Sequence, residues 1–295
     1  MAPRNSGQRE KVKGFDMMNK VAIVSGSNQG LGFALVEALC KNLGPNASVY
    51  LTARNGTRGK DAVRQLRDRG LSPIFHLLDV TDDASVAALA ETIRTRHGGV
   101  DIVISNAAAR ISPNLSQAEQ VALFVNTNNH GTFRMIREFG PMLRDDARFL
   151  VVASAFGSLR NLSADLHGKF DITTQSLEDI ERLMDEYVHL VETGQAKAHQ
   201  WPEWINVPSK IAQVASTKIM ARLMREEASR RGILINAVCP GMLDTDASRP
   251  WFKDMSSAQS PAQAAVDVVW LATVPPRTET PYGELVQHRK VLPWV

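Results

Sequence analysis

A chain of 295 residues, 44% apolar and 22% charged, can bury a large core and falls within the size of one big α/β domain. Its formal net charge of +3 comes from acidic and basic residues interleaved along the chain, which argues neither for nucleic acid nor for an anionic surface, and no nucleic-acid or membrane partner is expected. Two cysteines, Cys40 on a helical apolar face and Cys239 at a strand-to-loop junction, form no disulfide framework; both read as buried thiols in a reducing, cytoplasmic setting.

Residues 1–18 are rich in Arg, Lys, Asn and Gly and hold no apolar run long enough for a signal peptide or membrane span, so a disordered extension is expected ahead of one domain over 19–295. The Met17-Met18 pair leaves a later start site open, and Glu10 and Asp16 count against a transit peptide. From Val21 strand and helix alternate, the pattern of a parallel sheet covered on both faces. Val21-Ala22-Ile23-Val24 is a short buried strand running into Ser25-Gly26-Ser27-Asn28-Gln29-Gly30-Leu31-Gly32, after which Ala34, Leu35, Ala38 and Leu39 recur at helical spacing. Bare backbone opening a helix lets a pyrophosphate approach N–H groups at the positive helix end, although the glycines alone also fit a tight turn with no ligand.

The second strand, 49–52, ends in Ala53-Arg54 with Arg58 four residues on. An acid placed there would take a ribose 2′-hydroxyl; a basic pair suits a 2′-phosphate. Residues 75–78 form a third strand that delivers Asp79-Val80 to where an adenine would lie, and a fourth, 100–104, leads into Ser105-Asn106-Ala107-Ala108. Strands over 149–152, 233–236 and 284–287 complete about seven.

This ordered series resembles the short-chain dehydrogenase/reductase family and, within it, the monomeric carbonyl reductases: Gly26, Gly30 and Gly32; Arg54 and Arg58; Asp79; Asn106; Asn128 within Thr127-Asn128-Asn129-His130-Gly131-Thr132; Lys210; and Pro240-Gly241. The resemblance covers residues 20–295. It implies an α/β, Rossmann-type doubly wound parallel sheet, NADP(H) at its carboxyl edge, Lys210 on the ribose hydroxyls, Asn128 supporting a relay water and a small-molecule substrate; no metal is expected. Residues 160–204 carry a helical pattern, Leu177, Ile180, Leu183, Met184, Tyr187, Val188 and Val191, which resembles the insertion that covers a dimerisation face in that subgroup and so implies a monomer.

The departures bear on chemistry. The resemblance implies a tyrosine four residues before Lys210, where this chain has Asn206, and a second serine where Ser154 is followed by Ala155. Ala108 adds a methyl beside the nicotinamide. Asn206 is also a preferred helix N-cap ahead of Pro208, so capping and substrate contact both fit it. An amide cannot act as a general acid near neutral pH. Three consequences are open: an NADPH-binding scaffold without chemistry, a carbonyl reductase with an acid relocated to His130, His167 or Asp165, or a reductase of a pre-formed cation that needs no proton. The last resembles a branch of fungal reductases of the paraherquamide and malbrancheamide type, which implies NADPH reduction of a prenylated Pro–Trp-derived iminium followed by intramolecular Diels–Alder closure. On that reading Arg110 sits on the rim facing a substrate oxygen, Asp165 pairs with a substrate cation unless it caps a helix, and Ala155, Trp204, Asn206, Met242 and Trp251-Phe252 form the pocket walls.

Overall fold

The run Val21–Val24, fully buried, forms β1, and most later strands are short apolar runs of the same kind, so both faces of the sheet require cover. The computed structural model describes residues 19–295; the extension expected over 1–18 lies outside the described residues. In chain order β1 is followed by α1 (Gly30–Leu43), β2 (Ser48–Ala53), α2 (Gly56–Arg67), β3 (Ile74–Leu77), α3 (Asp83–His97) and β4 (Val100–Ser105). The second half runs α4 (Gln117–Val125), α5 (Gly131–Phe139), β5 (Leu143–Val152), α6 (Leu177–Glu192), α7 (Asn206–Leu223), α8 (Arg225–Arg231), β6 (Leu234–Val238), α9 (Pro261–Ala272), β7 (Leu285–Gln287) and β8 (Lys290–Leu292). Side chains that accept first-turn N–H groups start several of these helices: Asn55 for α2, Asp82 for α3, and Ser116 and Ser176, each paired reciprocally with an acid, for α4 and α6.

The sheet order is β3-β2-β1-β4-β5-β6-β7-β8, parallel except for the β7–β8 pair. Alternation along β1 divides the core: Val24 packs with Leu35, Leu39 and Val268 of α1 and α9, whereas Ile23 packs with Leu89, Ile93 and Phe139 of α3 and α5. The strand order reverses between β1 and β4, which opens a crevice at their carboxyl ends. A third cluster is built by α4, α6 and α7 around Phe124, Met184, Tyr187, Trp201 and Ile211.

The described residues form eight strands where about seven were expected. The hairpin to β8 turns on His288 and Arg289, at φ of 48° and 62°; side chains other than glycine at two left-handed positions hide the turn from a sequence reading. Strand β5 begins at Leu143 instead of 149, its start disguised by Arg144-Asp145-Asp146, with Asp146 at φ 58°; β6 spans 234–238 instead of 233–236. The expected insertion helix is α6, with Ile180, Leu183, Met184 and Tyr187 buried, and it packs on α4 and α7. Between β5 and α6, the main-chain N–H of Leu159 and the hydroxyl of Ser158 both donate to the carbonyl of Trp294, at 2.8 and 3.1 Å. Both cysteines are free; Cys239 is buried as expected, but Cys40, at the edge of the apolar stripe of α1, is only half-buried. No helix among the described residues is long and apolar enough to cross a membrane.

Candidate active site

The glycine-rich turn between β1 and α1 is locked to the end of β4. The Asn106 side-chain amide donates to the carbonyls of Ser25 and Gly26 at 2.9 and 3.1 Å, and the Ser25 hydroxyl accepts from the N–H groups of Asn106 and Ala107. This closeness dictates glycine at two positions. Gly26 stands at φ 61° with an added Cβ only 2.8 Å from Cα of Ala107, and at Gly32 a Cβ would fall 2.5 Å from the Gly26 carbonyl oxygen. Ser27 turns inward, donating to the Val24 carbonyl and accepting from the Thr52 N–H, so it holds the turn to the sheet and does not line the groove.

A groove of about 430 Å³ runs from this turn past β2 and β3, lined by Gly26, Asn28, Arg54, Arg58, Asp79 and Val80 among others. Arg54 and Arg58 are exposed and have no carboxylate partner among the described residues. Thr81 occupies Oδ1 of Asp79 through its N–H and its hydroxyl, which fixes the carboxylate at the groove wall. Two unpaired guanidiniums beside a glycine turn and a helix N-terminus fit a dinucleotide carrying a 2′-phosphate.

A second cavity, also about 430 Å³, lies over the start of α7, and the two share Ala108, Ala109 and Arg110. Leu31, Asn106, Asn128, Pro240 and Gly241 line it on the cofactor side. Ala155, Trp204, Asn206, Met242, Trp251 and Phe252 line it as expected for substrate walls. Trp204 stands edge-on to Phe156, with centroids 5.2 Å apart, and tilts at 35° against Trp251, giving an aromatic wall. Arg110 is exposed at the joint between groove and cavity and has no ionic partner among the described residues.

Lys210 reaches this space from α7, donating to the Val152 carbonyl at 3.3 Å and to Oε1 of Gln213 at 2.7 Å. Burial pulls its pKa down to about 8 because no carboxylate stands near enough to offset the loss of hydration. Asn128 lies 1% exposed on a single π-helical turn, Asn126–His130, which widens the helix between α4 and α5 and aims consecutive asparagines at α7. Its Oδ1 accepts from the Ala109 N–H at 2.9 Å, and neighbouring Asn129 donates to the Ser209 carbonyl at 2.9 Å.

Asn206 does not cap α7. The helix already includes it, the cap position is Ile205, and no side-chain bond closes that end. Pro208 has no N–H and the Ser209 N–H goes to the Ile205 carbonyl at 3.4 Å, so no first-turn donor is left for a capping amide; Gln117 of α4 takes the Ile205 N–H at 3.0 Å, and Asn206 lines the cavity one turn ahead of Lys210.

None of the positions offered for a relocated acid lines the cavity. Asp165 is exposed on a 3₁₀ turn and neither caps it nor reaches the cavity, and His167 is held by the carbonyls of Leu159 and Leu162. His130 bridges Glu181 and Asp185 of α6 at 2.9 Å each. Burial alone lowers the imidazole pKa, but the two carboxylates outweigh it and hold it above its ordinary value. No Tyr, His, Asp or Glu is found among the described residues lining the cavity; its ionisable side chains are Lys210, Arg110 and Cys239.

Several residues at or next to the site escaped the sequence reading, four of them with a bearing on its chemistry. Ser154 lines the cavity beside Ala155, its oxygen accepting from the Phe156 N–H at 3.3 Å while its proton stays available to a ligand. Phe156 and Cys239 line it too, and Gln213 lies directly behind Lys210. The spacing of Gln213 from Lys210, three residues along a helix, was the one available signal.

A model of the family described as short chain dehydrogenase matches residues 20–164, and relatives at 35% identity extend the match along nearly the whole chain. The protein belongs to the short-chain dehydrogenase/reductase family. Among its relatives, Carbonyl reductase [NADPH] 1 of Bos taurus is 35% identical over 283 residues, spanning 94% of this chain and 99% of its own. The enzyme of the same name from Rattus norvegicus is 35% identical over 278 residues, 93% and 98% of the two chains. Salutaridine reductase from Papaver somniferum shares the fold, with a TM-score of 0.76 over 90% of this chain and 99% of that one at 23% identity.

Proposed function

We propose that this protein is an NADPH-dependent reductase whose hydride acceptor is a pre-formed iminium in a prenylated Pro–Trp-derived indole intermediate. Intramolecular Diels–Alder closure of the product follows in the same cavity, and the protein acts as a monomer. The observation that carries the reading is the acid-poor cavity, with Asn206 on its wall and no Tyr, His, Asp or Glu among its described lining residues. A carbonyl becomes an alkoxide on reduction and needs a proton donor, whereas an iminium becomes a neutral amine and needs none.

NADPH, when bound, supplies the hydride. Arg54 and Arg58 would hold its 2′-phosphate, Asp79 and Val80 would line the adenine end, the turn at Gly26 would take the pyrophosphate, and Lys210 and Asn106 would hold the nicotinamide end. Trp204, Trp251 and Phe156 offer flat apolar surface to an indole and exclude water from the reacting face, and Arg110 reaches the same space for a substrate oxygen. A confined apolar cavity also favours cycloaddition, since holding diene and dienophile together removes much of the entropic barrier. The packing of α6 on α4 and α7 supports the monomer.

Ser154 favours a second reading. Its hydroxyl faces the cavity and can donate to a carbonyl oxygen, and the relatives from Bos taurus and Rattus norvegicus are named carbonyl reductases. Transfer of deuterium from C4-labelled NADPH into a cyclic iminium, with chromatography of the product, separates the readings. Label in a bridged, cycloadded skeleton is expected. Label in an uncyclised amine would remove the cycloaddition, and label entering simple ketones but no iminium would give the site to carbonyl reduction through Ser154.

A further inference from the structure

Lys210 is held from behind by a side chain that the proposed reaction does not by itself explain. Gln213, three residues further along α7, is 2% exposed, yet it carries a primary amide in the middle of the molecule. Every part of that amide is used. Oε1 accepts from the Lys210 ammonium at 2.7 Å, and Nε2 donates to the carbonyl of Asn128 at 3.0 Å and to the hydroxyl of Thr132 at 3.1 Å. The orientation follows from chemistry, since a flipped amide would set its NH₂ against an ammonium and its oxygen against a carbonyl.

The network has an end. The Thr132 hydroxyl donates to the Asn128 carbonyl at 2.6 Å, so that oxygen receives both Thr132 and Gln213. Asn128 in turn holds Ala109, at the joint between nucleotide groove and substrate cavity, through its own side chain. Lys210, Gln213 and the π-helical turn are thus one rigid unit tied to the loop over which a nicotinamide would lie. Apart from Lys210, the member of this unit that titrates near neutral pH is His130, whose two ring nitrogens are taken by Glu181 and Asp185 of α6. The other groups around the ammonium are the Val152 carbonyl and, further off, the Cys239 thiol, which burial keeps protonated.

We propose that Gln213 is a positioning residue: its amide aims the Lys210 ammonium at the ribose of the bound dinucleotide without supplying a counter-charge, so that the cofactor's own hydroxyls become the partners the ammonium lacks. A carboxylate in its place would bind the lysine more strongly and compete with the ribose for it. An apolar residue would leave the lysine unaimed and the Thr132 hydroxyl without the donor it has here, with Thr132 alone still donating to the Asn128 carbonyl. The inference rests on the nicotinamide-cofactor reading of the cleft, but not on the identity of the substrate.

The test is NADPH affinity across pH 6.5–10 for the full chain, read by cofactor fluorescence, in wild type, Gln213→Glu and Gln213→Met, with melting temperatures beside each. In the wild type the ammonium must be charged to meet the ribose, so affinity is expected to fall about tenfold per pH unit once the lysine of the free protein loses its proton, beginning near pH 8. Gln213→Glu keeps the shape and should move that onset upward by about one unit or more, because the new carboxylate favours the charged lysine. Gln213→Met should weaken NADPH roughly tenfold at pH 7 and move the onset downward. A residue that merely fills space would change the melting temperature and leave both onsets where they were; unshifted onsets in both variants overturn the proposal. If the onsets shift as expected while no iminium is reduced, Gln213 keeps its role and the reductase reading fails.

Discussion

At the β2 end of the cleft, two unpaired guanidiniums and a fixed carboxylate stand around bare glycine backbone, while over α7 the walls are tryptophan, phenylalanine, methionine and alanine with a single lysine reaching in. Each end recognises its ligand with different physics. The nucleotide groove works through charge on an exposed edge, where a phosphate displaces water from groups that otherwise face solvent. The cavity works through shape and exclusion of water, and its ionisable groups are scarce. A reductase built this way can keep its cofactor while its substrate chemistry changes, because few residues serve both ends: Ala108, Ala109 and Arg110 are those shared by the two spaces.

The contrast breaks most sharply at the charged end. Arg54→Ala with Arg58→Ala should weaken NADPH at least about a hundredfold and leave NADH nearly unchanged, as each charge-assisted bond to phosphate contributes roughly 1.5–3 kcal/mol. Competitive titration of the two cofactors checks this, and equal affinities in the wild type would remove the 2′-phosphate assignment. At the other end, Trp204→Ala should raise KM for an indole substrate about tenfold or more while leaving the dissociation constant for NADPH alone, since it strips apolar wall and no cofactor contact. A matching loss of NADPH affinity would mean that the two ends are coupled. Asn206→Ala should slow iminium turnover by less than about tenfold, against roughly 10²–10⁴ for removal of a general acid. Single-turnover kinetics distinguish the two ranges.

The smallest effect concerns the insertion. The pKa of His130 is raised in the folded protein by Glu181 and Asp185, so its ion pairs contribute fully below the unfolded value of about 6.5 and are lost as pH rises through the higher folded value. Thermal stability should therefore decline slightly across that window in the wild type and not in His130→Ala. Melting curves taken from pH 5.5 to 9 would reveal the slope, and an identical slope in the variant would assign it to other groups.

Most of the charged end could be read from the chain because its residues come in contiguous strand-to-helix turns: Gly26 to Gly32, Arg54 to Arg58, Asp79-Val80. Local spacing carries that information, and the strands and the insertion helix follow equally from local periodicity. The cavity wall is assembled from separated stretches, and there the reading was uneven. Ser154 was passed over in favour of Ala155, although both face the cavity. Asp165, attractive as a charge near the insertion, sits exposed on a turn, since nothing in sequence fixes how a loop of 3₁₀ turns is laid across a surface. Asparagine ahead of a proline-containing first turn fits a cap as well as a substrate contact; the helix begins one residue earlier than a cap at Asn206 requires, and the donors that such a cap would take are missing at Pro208 and bound to the Ile205 carbonyl at Ser209. Gln213 gave no signal beyond its spacing from Lys210, because a glutamine inside a helix is ordinary until its partners on α7, the π-helical turn and α5 are seen.

The bonds from Leu159 and Ser158 to the carbonyl of Trp294 also set an order of events during synthesis. The glycine turn, β2 and the end of β4 lie within the first 106 residues and can close on one another while the rest of the chain is still being made. The segment that follows Ser154 and Ala155 reaches its final partner only when residue 294 has left the ribosome. A nascent chain that has not yet exposed Trp294 would therefore carry its dinucleotide groove formed and its substrate wall still unlatched.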